Sequence, residues 1–74
     1  MIYTNTQQIL KHIRHVMLTD DITMKELATS MSKTAGAVSS QFKQQNITLE
    51  SLNSICSALG YDLEINFIKK TEED

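Results

Sequence analysis

A mainly α fold, four short helices followed by one C-terminal strand that pairs across a dimer, is what this 74-residue sequence predicts. The chain has no proline and only two glycines, Gly36 and Gly60, so little in it breaks a helix. Four helix starts are each led by a threonine and followed by apolar residues three and four apart. After Gly60 the apolar period drops to two, the period of a half-buried strand. A chain of this length is one domain, residues 1–74, close to the lower limit at which a single core sustains a fold.

Thr4 or Thr6 caps the first helix, in which Ile9, Leu10, Ile13, Val16 and Met17 form the apolar face. Lys11, His12, Arg14 and His15 fall on the opposite, solvated face, and "LTDD" ends the segment. Thr23 starts a second helix with Glu26 at the third helical position, the reciprocal arrangement in which each side chain accepts from the other's backbone. That helix buries Leu27, Ala28 and Met31 and is about two turns long. Thr34 caps a third helix, with Val38 and Phe42 four apart on its inner face and Ser39, Ser40, Gln41 and Lys43 mostly elsewhere.

A polar loop, "QQNI", leads to Thr48, which caps a supporting helix over residues 48–59 with Leu49, Leu52, Ile55, Cys56 and Leu59 inward. Gly60 stops it as a left-handed residue. Over residues 61–68, Tyr61, Leu63, Ile65 and Phe67 alternate with Asp62, Glu64 and Asn66, and the charged residues 69–74 form a frayed tail.

A lone cysteine excludes an internal disulfide, and its place in an apolar run suits a small buried side chain in a reducing compartment. The first residues show no leader pattern and the chain no membrane-spanning run, so a cytoplasmic protein without membrane association is expected. His12 and His15 have no carboxylate or thiol at metal-ligand spacing, so no metal or other cofactor is expected. Neither a phosphate-cradling loop nor a nucleophile with its base is present, and an enzyme is not expected.

The net charge of −2 is unevenly spread. Residues 1–46 carry five lysine or arginine residues against three carboxylates, whereas residues 47–74 carry two against six. The acidity belongs to the C-terminal part, and the rest is weakly basic.

The break at "MSKTAGA", inside residues 23–42, turns what would be one helix into two joined by a tight turn. Such a helix-turn-helix unit uses small Ala28 where the helices touch and lifts the third helix so that its front half can enter a DNA major groove. With "ELA" at Glu26 to Ala28, Met31 before the turn, Val38-Ser39 in the second helix and "NITLESLNSICSALG" as support, the segment Thr23 to Gly60 resembles phage repressor and Cro-type (lambda-repressor-like, xenobiotic-response-element-like) helix-turn-helix domains. The sequence departs from that pattern at Ser32, where the family often has glycine, and at Lys33, where it has an apolar residue. It departs again in Ala35, Gly36 and Ala37, which occupy the base-reading front of the third helix.

The resemblance implies a sequence-specific transcriptional regulator, a repressor, of bacterial or phage type that binds double-stranded DNA. Thr34, Ser39, Ser40, Gln44, Gln45 and Asn46 are then the polar base readers, Ala35 and Gly36 permit close approach, and Lys25, Lys33 and Lys43 meet phosphates. Few cations mean weak binding by one copy. "YDLEINFI" has no comparable strand in its own chain to pair with, so homodimer pairing through Tyr61, Leu63, Ile65 and Phe67 is expected; the alternative is pairing with "MIYT". A second reading keeps the shape and changes the ligand: a protein-interaction module, such as an antitoxin or antirepressor, bound to a toxin or another protein regulator.

Overall fold

In the computed structural model, which describes residues 2–71, the chain forms four helices: α1 Thr6–Thr19, α2 Met24–Ser30, α3 Ala35–Gln41 and α4 Leu49–Ala58. The class is all-α, and among the described residues there is no strand. No helix there is long and apolar enough to cross a membrane.

Every helix starts on a side chain that accepts from the backbone three residues on. Thr23 accepts from Glu26 N (3.1 Å) while Glu26 Oε1 accepts from Thr23 N (2.8 Å), completing the reciprocal box. Thr34 accepts from Ala37 N and Thr48 from Ser51 N. For α1 the cap is neither Thr4 nor Thr6 but Asn5, whose Oδ1 accepts from Gln8 N at 2.9 Å, while Thr6 is buried as the first helical residue. Three capping residues stand in a row there, and only the middle one has its side chain in reach of Gln8 N.

Three helices end in the same way. Beyond each C-terminus a residue takes a positive φ: Asp21 (58°) after α1, Ser32 (58°) after α2, Gly60 (86°) after α4. The next amide reaches back to a carbonyl five residues earlier: Ile22 N to Met17 O (2.8 Å), Lys33 N to Ala28 O (2.9 Å), Tyr61 N to Cys56 O (2.8 Å). These are Schellman motifs, which satisfy carbonyls that the helix leaves without partners. After α1 the closing residue, Ile22, also packs on the core. After α2 that position is Lys33, which is exposed and adds no apolar contact.

A positive φ costs an L-residue about 1–2 kcal/mol, less for aspartate, which bonds locally. Ser32→Gly should therefore stabilise the protein by about 0.5–1 kcal/mol, with a smaller gain for Asp21→Gly. Thermal melts check this. An unchanged or lower melting temperature for Ser32→Gly would remove the strain assigned to that turn.

The core holds Leu10, Ile13 and Met17 from α1, Leu27 and Ala28 from α2, Val38 and Phe42 from α3 and its end, and Leu52, Ile55 and Leu59 from α4. Leu10, Val38 and Ile55 are fully buried. Ile9, Val16, Met31 and Cys56, also expected inward, are half-buried, and Leu49 is 63 % exposed. Leu49 is the first residue of α4 and lies in its outer turn, so helical spacing alone does not carry it inside.

The strand expected over 61–68 is not formed. Residues 61–71 run on without regular structure, and residues 2–4 of "MIYT" do not pair with them. Period-two alternation describes an extended segment, but a strand also requires a partner backbone. Leu63 packs on the core, Tyr61 Oη donates to Asp20 Oδ2 at 2.7 Å, and Asn66 Nδ2 donates to Glu64 on the same side of the segment. Farther on, Phe67 is 97 % and Ile68 71 % exposed. Of the frayed tail expected over 69–74, residues 69–71 are exposed and irregular, and 72–74 lie outside the described residues.

Candidate nucleic-acid interface

α2 and α3 are packed against each other through Leu27, Ala28, Val38 and Phe42, and the four residues Met31–Thr34 connect them. Since Val38 is the inward residue of α3, the front of that helix is left outward. Ala35, Gly36 and Ala37 are all exposed, with Thr34 before them and Ser40 one turn on. Thr34 Oγ1 already accepts from Ala37 N, so its hydroxyl offers a donor outward.

Gly36 does not have the conformation that asks for glycine. Among the described residues those with positive φ are Asp21, Ser32 and Gly60, and a Cβ built on Gly36 would meet nothing within 4 Å. Neither backbone geometry nor packing within the chain requires a residue that costs its helix about 1 kcal/mol relative to alanine.

The expected phosphate-contacting lysines lie apart. Lys25 is exposed in the first turn of α2. Lys33 lies in a shallow depression with Ser30 and Met31 on one side and Ser54, Ser57 and Ala58 of α4 on the other. Lys43 follows α3 and lines a different groove, against α1. Gln44, Gln45 and Asn46 are exposed in the loop before α4, and Ser39 is half-buried. Between Glu26 and Glu50 the chain carries no carboxylate, so this whole surface lacks an acidic residue of its own segment.

Two side chains expected on a merely solvated face belong to that Lys43 groove. Lys11 and Arg14 of α1 line it, and the Arg14 guanidinium carbon sits 5.3 Å from the centroid of the Phe42 ring. The spacing of Gln7, Lys11 and Arg14, four and then three apart, already places them on one stripe of α1, and no carboxylate occurs in that helix. What sequence spacing cannot supply is the approach of Lys43 to that stripe.

Among the expected dimerisation residues, Tyr61 is tied to α1 of its own chain through Asp20, an acceptor and negative neighbour that hold its phenol pKa above the ordinary value. Leu63 is half-buried on the core, and Ile65 (53 % exposed) and Phe67 remain open to a partner. Burial pushes the Cys56 thiol up, which disfavours the thiolate. No family model, curated protein or solved structure matches the chain.

Proposed function

We propose that this protein is a sequence-specific DNA-binding transcriptional regulator, a repressor, whose α2–α3 pair acts as a helix-turn-helix unit and whose copies bind as a homodimer. The observation that carries the reading is Gly36. A glycine at an exposed helix front, required by neither φ nor packing, is accounted for by close approach of another molecular surface to the helix backbone. Lys33 before α3 and Lys43 after it, with no carboxylate from residue 27 to 49, favour a polyanion as that surface, although Lys25 stands next to Glu26. Ser32 in the left-handed turn supports the resemblance to repressor domains, because it meets the geometry that glycine meets in them.

In this reading Thr34, Ser39, Ser40, Gln44, Gln45 and Asn46 reach base edges, and Ala35 and Gly36 let the helix lie close, in apolar contact with thymine methyl groups. The exposed Ala35-Gly36-Ala37 surface also favours a second reading, a protein-interaction module of antitoxin or antirepressor type, since small apolar side chains make a smooth docking face.

A binding selection against random duplexes at low and moderate salt separates the two. Enrichment of one sequence supports DNA reading; no enrichment, with no retention even at low salt, leaves the interaction module. Gly36→Ala gives a sharper result. The added methyl fills open space and removes a helix breaker, so the variant should melt at a higher temperature, by up to about 1 kcal/mol in stability. Its affinity for the selected duplex should nevertheless fall. Equal or higher affinity in the stabilised variant would show that nothing approaches α3 there.

A further inference from the structure

The groove between α1 and the end of α3 has three cations along it, Lys11, Arg14 and Lys43, and no carboxylate among the residues that line it. It is about 800 Å³ in volume, room for a phosphate group with its flanking atoms. Its floor is fixed: Phe42 is 2 % exposed, and the Arg14 guanidinium lies 5.3 Å from the ring centroid. Stacking of that kind holds a guanidinium by cation–π attraction and limits its rotamers, so its planar fork of donors is already oriented. One wall is tied in place as well. Gln7 Nε2 donates to the Gln44 carbonyl at 2.6 Å, joining the first turn of α1 to the loop that carries Lys43 through Asn46. Gln8 accepts from Thr4 N through its Oε1, which leaves its amide nitrogen as a further donor.

Like charges three apart on a helix repel, and here no acidic residue of the groove offsets Lys11 and Arg14. A phosphodiester or phosphate dianion between Lys11, Arg14 and Lys43 would attract each of them and reduce their mutual repulsion. We propose that this groove is a phosphate site, and that in the DNA complex it holds a backbone phosphate beside the segment that α3 contacts. The proposal rests on the DNA-binding reading for the source of the phosphate, and the groove's chemistry alone for the group itself. It extends the interface onto α1, to Lys11 and Arg14, and it gives a role to the Gln7–Gln44 bond, which holds the loop against the groove.

The test uses the whole chain. Lys11→Ala and Arg14→Gln are made on exposed side chains, and an unchanged melt confirms that each is folded. Affinity for the selected duplex and for an unrelated one is measured across salt. Each variant should bind both duplexes more weakly by a similar factor, and the slope of log affinity against log salt should flatten by about 0.9 for the lost contact. Wild-type slopes in both folded variants, with the wild type binding DNA, would overturn the groove and leave the DNA reading standing. If the wild type binds no duplex at low salt, the DNA reading fails and inorganic phosphate becomes the probe. Titrated phosphate should then shift the NMR signals of Lys11, Arg14 and Lys43 more than those of Lys69 and Lys70, and the shifts should be lost in Lys11→Ala. Equal, weak shifts at all lysines would overturn the site itself.

Discussion

Val38→Asp and Leu27→Asp are each expected to abolish the cooperative thermal transition and most of the far-UV circular dichroism of the helices. Both positions are closed to solvent, at 0 % and 1 % exposure, and they lie where α2 and α3 meet the rest of the core. An unpaired carboxylate placed there costs several kcal/mol, whether it is buried charged or protonated first. A domain of this size is stable by about 4–11 kcal/mol in total, so the loss is most of what there is. The two variants also separate the fold from the interface. A native-like spectrum with an unchanged melt would mean that the α2–α3 packing, and with it the outward presentation of Ala35 to Ala37, is wrong.

The second large effect concerns the C-terminal segment. Sedimentation of the wild type at tens of micromolar should show a dimer, and Ile65→Pro should show a monomer whose circular dichroism and melting are unchanged. Among the described residues, Ile65 N has no hydrogen bond partner, so proline removes none from the isolated fold. In a two-fold antiparallel pairing the same change removes a ladder donor from each copy. Only registers that keep Tyr61, Leu63, Ile65 and Phe67 on one face bury the apolar side, which fixes the parity of the pairing. Affinity for DNA should fall more in Ile65→Pro than in any single contact variant, because engagement of two half-sites in one event multiplies a weak single-site affinity. A dimeric Ile65→Pro with normal DNA affinity would move the interface onto the helices, and a monomeric wild type would remove the dimer altogether.

Helix starts and stops were the most legible features of the sequence. Thr23, Thr34 and Thr48 cap as their spacing to Glu26, Ala37 and Ser51 suggests, and Gly60 takes the left-handed stop. These motifs are closed within six residues, so local sequence contains all the parties. Ser32 takes the left-handed turn conformation that the resemblance assigns to glycine, without being glycine. The inner faces followed from helical spacing and failed at Leu49, at the start of α4, where the neighbouring elements decide what is covered. Features joining distant residues were not legible. The meeting of Lys11 and Arg14 with Lys43, the Gln7–Gln44 bond and the Tyr61–Asp20 bond all depend on how the helices stack. The expected strand is the instructive difference, because alternation shows which side chains could share a face, whereas a strand also needs a partner backbone, and none pairs with residues 61–68 among the described residues.

The shared construction of the helix ends bears on how fast this protein forms. The caps and the three left-handed stops are each complete within a few neighbouring residues, so each boundary is specified by local sequence, even though helices as short as α2 and α3 are held by packing. Little chain must be closed into loops to reach the native arrangement, and domains dominated by such local contacts cross their folding barrier in about microseconds to milliseconds. Any pairing of two C-terminal segments is a collision between finished domains, with a rate that scales with concentration as the folding rate does not. At low concentration the two processes are expected to separate in time, with folding first.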